Sequence, residues 1–134
     1  MKVTTVAPGD DVYAELNKRL VAFNRDHVDW DADIFTVCLR DDTGTLRGGG
    51  RGIVRMGALE VRSLWLDQDQ RRGGFGREIV EEIESEARLR GATKAFLDTY
   101  DFQAKEFYEG LGYAVFGSFE FPNDTARFYL GKVL

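Results

Sequence analysis

Val61-Arg62-Ser63-Leu64-Trp65-Leu66, a short apolar run, leads into Arg71-Arg72-Gly73-Gly74-Phe75-Gly76-Arg77 and then into a helical pattern with Gly76, Ile79, Val80, Ile83 and Ala87 on one face. The run reads as a strand and the 3.6-residue period as an amphipathic helix. The glycines therefore form a turn from strand to helix N-terminus. A helix start carries unpaired N–H groups and a partial positive charge, so it favours an anion. Gly73, Gly74 and Gly76 let the backbone approach that anion, and Arg71, Arg72 and Arg77 add charge. Phosphate is the expected ligand.

Outward from this segment the chain alternates short strands and helices. Lys2 to Val6 is β-rich and reads as a first strand; Asp10 can cap a helix to about Asn24 with the stripe Val12, Leu16, Leu20 and Phe23. Arg25 to Asp33 is polar and reads as a loop. Ile34 to Arg40 reads as a strand, Asp41-Asp42-Thr43-Gly44 as a turn, and Thr45 to Met56 as the returning strand. Gly48, Gly49, Gly50 and Gly52 in that strand point to a bulge or a close backbone contact. Ala58 to Leu66 follows, then the turn and a helix to about Arg90, with Gly91 suited to its C-terminal cap. Lys94 to Thr99 reads as a strand and Phe102 to about Leu111 as a short helix. Tyr113 to Phe121 and Arg127 to Val133 read as a closing hairpin. The order β-α-β-β-β-α-β-α-β-β predicts an α/β (α+β) fold: one mixed, mostly antiparallel sheet with helices on both faces.

With 134 residues, residues 1–134 read as one domain able to bury a core. The net charge of −5 disfavours nucleic acid as a partner. Much of the acidity is expected on the solvated face of one helix, at Glu78, Glu81, Glu82, Glu84 and Glu86. No apolar stretch approaches the roughly 20 residues that span a membrane, and no signal-peptide pattern follows Met1, so a cytoplasmic location and no membrane partner are expected. Cys38 alone forms no internal disulfide and is expected as a small buried residue; with His27 it makes no zinc site, and no metal is expected.

Two common phosphate motifs do not fit. A Walker A loop needs Gly-Lys followed by Ser or Thr, and a dinucleotide fingerprint needs a glycine where Ile79 stands. Arg71-x-x-Gly74-x-Gly76 instead resembles the pyrophosphate loop of the Gcn5-related N-acetyltransferases (GNAT superfamily). Leu97-Asp98-Thr99 through Phe107-Tyr108-Glu109-Gly110-Leu111-Gly112-Tyr113 resembles that superfamily's later aromatic-Tyr-Glu-x-x-Gly-aromatic motif, and Glu60 to Leu66 its fourth strand. Residues 58 to 116 carry the resemblance; residues 1 to 57 match in layout.

The resemblance implies the acyl-CoA N-acyltransferase fold and an acetyl-CoA-dependent N-acetyltransferase. Its diphosphate would lie on the amides of Arg72, Gly73, Gly74, Phe75, Gly76 and Arg77, beside Arg71. Its pantetheine arm would run along the backbone of Leu64, Trp65 and Leu66, with the Leu64 and Leu66 side chains in the core and Trp65 packing on the other face. Where relatives carry Asn at the start of the last helix, this chain has Asp101, so Asp101 or Gln103 would take that contact. Tyr108 would be the general acid: a phenol near pKa 10 is close to a leaving thiol near 8.5. The alternative for Tyr108 is a core aromatic beside Phe107. Glu60, eleven residues before Arg71, would be the general base, or else an ion-pair partner of Arg62 or Arg55. An amine of pKa near 10 is only about 1 in 1000 neutral at pH 7, so a proton acceptor is needed. Phe23, Asn24 and Trp30 would line the acceptor pocket.

The expected reaction is direct transfer of acetyl from acetyl-CoA to a primary amine of a small molecule. Two other classes compete: a protein N-acetyltransferase, and a catalytically silent acyl-CoA-binding module that would need neither Tyr108 nor Glu60. Dimers are common in the superfamily, and the Tyr113 to Leu134 hairpin is the expected interface.

Overall fold

The computed structural model describes residues 1–134 as two compact units, Met1–Asp31 and Ala32–Leu134. The first holds α1 (Val12–Arg25). The N-cap residue is Asp11, not the expected Asp10, and no side chain caps the helix; Asp10, one residue earlier, accepts the Val12 N–H at 3.1 Å in a local turn. Lys2 to Val6 is not a strand here. A strand exists only through a ladder partner, and this five-residue stretch has none. The stripe Val12, Leu16, Leu20 and Phe23 is exposed, and no residue of α1 is buried. Spacing put these residues on one face without saying what covers it.

The second unit runs β1 (Asp33–Arg40), β2 (Leu46–Arg55), β3 (Ala58–Leu66), a short 3-10 turn (Gln68–Gln70), α2 (Phe75–Leu89), β4 (Lys94–Tyr100), α3 (Lys105–Gly110), β5 (Ala114–Glu120) and β6 (Ala126–Val133). One sheet holds the six strands in the order β1-β2-β3-β4-β6-β5. Only β3 and β4 are parallel, with α2 as their crossover; every other pair is antiparallel. The last helix is shorter than the sequence predicted, because Phe102 and Gln103 lie in the turn before it.

The β1–β2 turn forms as its residues dictate. The Asp41 carboxylate accepts from the N–H groups of Thr43 and Thr45 and from the Thr43 hydroxyl, and Gly44 has φ +83°. These bonds hold the Asp41 carboxyl below its ordinary range, with the Thr43 hydroxyl as the first cause.

Ile79, Val80, Ile83 and Ala87 of α2 pack with Leu59, Val61, Ala95, Leu97 and Leu130 of the sheet and with Tyr108 of α3 into one core. The glycines of β2 allow this. A Cβ on Gly50 would sit 3.0 Å from Ile83 Cδ1, and one on Gly52 would sit 2.3 Å from Phe35 Cζ. Cys38 is exposed, contrary to expectation: alternation puts Val37 and Leu39 toward the core and Cys38 on the opposite face.

One charge is buried, contrary to the expectation that Glu84 lies on the solvated face of its helix: it stands one position after Ile83 and turns inward toward Tyr113 and Lys132. Glu84 of α2 accepts from the Tyr113 hydroxyl at 2.9 Å and from Lys132 Nζ at 3.0 Å on both oxygens. This cluster fastens α2 to β6 and to the start of β5. Burial first, and the Glu84 charge second, push the Tyr113 phenol up.

Candidate active site

The cleft originates in an irregularity of β3. β3 and β4 share partners only at Ala58–Lys94, Leu59–Ala95 and Glu60–Phe96, and then diverge. Against β2, the register moves from Gly49–Trp65 to Arg51–Arg62, so β3 carries one extra residue there. Ser63 within that segment has φ +58°. Such a bulge bends the strand and leaves backbone groups unpaired. Between the diverging strands lies a cleft of about 1010 Å³.

At one end the cleft meets the start of α2. Gly74 is the N-cap residue at φ +87°, and no side chain caps the helix. The first-turn amides of Phe75, Gly76 and Arg77 thus have no intrahelical acceptor. Arg71, Arg72, Gly74, Gly76 and Arg77 all line the cleft. The three arginines differ in their surroundings. Arg71 donates to the Leu66 carbonyl at 3.0 Å and lies 5.1 Å from the Trp65 ring, while Arg77 pairs with Glu81 at 3.5 Å. Arg72 is exposed at φ +68°. Gly76 has a second purpose: a Cβ there would press on the Phe107 ring at 3.2 Å, so its absence lets α3 approach α2.

Along the walls, Leu64, Trp65 and Leu66 supply β3, and Gln103, Phe107 and Tyr108 face them. Trp65 is 60% exposed and donates from Nε1 to Asp67 at 3.1 Å, so it lines the cleft and does not pack in the core. Gln103 Oε1 accepts from the Tyr100 N–H at 2.9 Å and from the Thr99 hydroxyl at 3.3 Å. The Asp101 carboxylate accepts the Ala126 N–H at 3.0 Å, and Asp101 does not line the cleft.

Tyr108 is buried and its ring stands edge-on to Phe107 and to Tyr113, 5.1 and 5.9 Å away. Its carbonyl accepts from the N–H groups of Leu111 and Tyr113, which fixes the end of α3. Burial pushes its phenol up to about 12. Glu60 lines the cleft from β3 and accepts from Arg62 Nε at 2.9 Å. The structure therefore gives Glu60 both a place in the cleft and the ion pair expected as its alternative.

Of the site residues read from sequence, the structure brings Glu60, Leu64, Trp65, Leu66, Arg71, Arg72, Gly74, Gly76, Arg77, Gln103 and Tyr108 to one cleft. Gly73, Phe75 and Asp101 lie beside it. Phe23, Asn24 and Trp30 belong to the first unit. Ser63, Asp98, Tyr100, Phe102 and Arg127 also line the cleft, although the sequence did not single them out. Asp98 had a signal: it alternates with the apolar Leu97 and so faces away from the core. Arg127 had none, because only the β4–β6 register brings it near.

The sequence model of the acetyltransferase (GNAT) family matches residues 8–113. The chain is 31% identical over 104 residues to blasticidin-S acetyltransferase of Streptomyces morookaense, covering 76% of each protein. An acetyltransferase from Bacillus cereus superposes with a TM-score of 0.87 at 26% identity, over 98% of each chain. An aminoglycoside 6'-N-acetyltransferase complexed with coenzyme A superposes at 0.67 and 20% identity, over 93% of this chain and 81% of that one.

Proposed function

The chain belongs to the acetyltransferase (GNAT) family, and we propose that it transfers acetyl from acetyl-CoA directly to a primary amine of a small molecule. The divergence of β3 from β4 after Glu60 carries this reading. It gives a thioester a slot between two strands, with an anion-favouring helix start at one end and two proton-handling side chains on the walls.

The residues fit the coenzyme. Nothing lies within 4 Å of the point where a Gly74 Cβ would stand, so a diphosphate can approach that backbone. Arg72 and the first-turn amides of α2 would hold it. The unpaired edge of β3 from Leu64 to Leu66 would take the pantetheine amides as an added strand does, and an amide there would polarise the thioester carbonyl.

Glu60 would accept the proton of the incoming ammonium, directly or through water, leaving a neutral amine to attack. The Tyr108 hydroxyl would donate to the sulfur as charge develops on it. Because the phenol is held near 12, it remains a donor throughout the working pH range. The small-molecule acceptor is supported by the relative from Streptomyces morookaense, whose name is that of a blasticidin-S acetyltransferase.

Calorimetric titration with acetyl-CoA, followed by thiol release across a panel of primary amines, tests the reading. Micromolar binding and amine-dependent thiol release are expected. A folded protein that ignores acetyl-CoA would end it; binding without release to any small amine, but with acetylation of lysate proteins, would move the acceptor to the protein class.

A further inference from the structure

Strand register puts Glu60, Asp98, Tyr100, Arg127 and Tyr129 on the sheet face opposite the α2–α3 core. Glu60 pairs with Phe96, Asp98 with Tyr129 and Tyr100 with Arg127, whereas Leu97, Thr99 and Leu130 between them are buried. Two ion pairs stand on the cleft wall there: Arg62 with Glu60 at 2.9 Å, and Arg127 with Asp98. Two carboxylates and two guanidiniums leave this end of the cleft neutral. A bare ammonium gains Glu60 and Asp98 but also meets both guanidiniums. A molecule carrying both signs meets a complement for each.

Arg127 carries a buried donor without a partner. Its guanidinium lies 5.7 Å from the Tyr100 ring and 5.3 Å from the Tyr129 ring, so aromatic faces and Asp98 fix its place. Its Nε is buried and donates to nothing, alone among buried side-chain nitrogens and oxygens. Buried donors are nearly always paired. A guanidinium presents five donors in a planar fork, and its pairing with Asp98 leaves that fork partly unfilled. The side chain as a whole is 35% exposed on the cleft wall, so an anion entering the cleft meets its remaining terminal N–H groups.

Resting on the acetyl-transfer reading, we infer that the acceptor amine also carries an anionic group, a carboxylate or a phosphate, held by Arg127. The ammonium end of the same molecule points toward Glu60. Arg127 is thus a specificity-determining residue, and the substrate class is that of zwitterionic amines.

The test measures thiol release from acetyl-CoA with two acceptor series of matched chain length, straight-chain primary alkylamines and ω-amino carboxylates. At the best-fitting length the carboxylate raises kcat/KM by roughly tenfold to a hundredfold, the range of a charge-assisted hydrogen bond. In Arg127→Gln the ratio of the two series falls toward parity, and Arg127→Lys, which keeps the charge but not the fork, retains part of it. Equal rates of the two series at every length overturn the inference, as does an advantage that persists in Arg127→Gln or is lost in Arg62→Gln instead. Acetyl-CoA affinity is measured on the same samples. Absence of that binding would sink the coenzyme reading itself. Tight binding with no carboxylate preference, or with no acceptor in either series, overturns the acceptor inference alone.

Discussion

Replacing Tyr108 by Phe takes one oxygen from the cleft wall and no bond from the internal network. The Tyr108 hydroxyl has no protein partner, while its ring contacts to Phe107 and Tyr113 survive the change. Stability should therefore move by less than about 0.5 kcal/mol, roughly 2 °C in Tm. The catalytic effect follows from the raised phenol. From about 12 to a thiol near 8.5 is about 3.5 units, so outright proton transfer would be uphill by about 5 kcal/mol. The phenol therefore acts first as a hydrogen-bond donor to the developing thiolate. A bond of that kind contributes about 2–3 kcal/mol, so kcat should fall roughly 30- to 150-fold. Acetyl-CoA affinity should stay within about twofold, because a thioester sulfur is a poor acceptor before the bond breaks. The assay is thiol release at saturating acetyl-CoA as a function of pH. As pH rises the acceptor loses its proton, so wild-type kcat/KM should climb about tenfold per unit toward the amine pKa near 10. Tyr108 still holds its proton there and should add no downturn below about 11. A Phe variant as fast as wild type would refute the donor role. A wild-type downturn near 10 that vanishes in the variant would refute the raised phenol.

Three further outcomes are expected. Gly74→Asp puts a carboxylate where the diphosphate lies, into space free of protein atoms; calorimetry should show acetyl-CoA affinity reduced by about fiftyfold or more, and an unchanged affinity in a folded variant would remove the loop from the site. Glu60→Gln should cost roughly 10- to 100-fold in kcat/KM at pH 7 and progressively less as pH approaches the amine pKa; a deficit that does not shrink would make Glu60 a binding group and not a base. Lys132→Met leaves Glu84 buried with only the Tyr113 hydroxyl, and should destabilise the fold by about 3 kcal/mol in denaturant unfolding; a loss under about 1 kcal/mol would show that the cluster is weakly coupled to folding.

Local chemistry made most of this arrangement readable before any coordinates. The Asp41 to Gly44 turn, the Gly91 cap at φ +88° and the glycine-rich start of α2 each depend on residues within a few positions of one another, and each formed where expected. The glycines of β2 read as a bulge or a close contact; they proved to be close contacts, and the bulge opposite them lies in β3. What failed was non-local. Lys2 to Val6 has strand composition but no ladder partner. Cys38 has a core residue's character on the wrong side of an alternating strand. Trp65 was read as packing, yet it stands at the bulge where alternation breaks and faces the cleft. Arg127 and Asp98 lie 29 positions apart in sequence and meet only because β6 inserts between β4 and β5.

The bulge at Ser63 ties the chemistry to the sheet. One extra residue in β3 frees the strand edge that would hold the thioester and opens the gap through which an amine could reach it. The same gap separates the two proton-handling groups. Glu60 lies on the face opposite α2, in register with Phe96, whereas Tyr108 is buried in the core with α2. The group that would take a proton and the group that would give one therefore reach the same cleft from opposite faces of the sheet. The proton removed from the ammonium need not be the one delivered to the sulfur. Were acetyl transferred directly through this gap, a single shuttle would have to cross the slot that the acyl group would occupy.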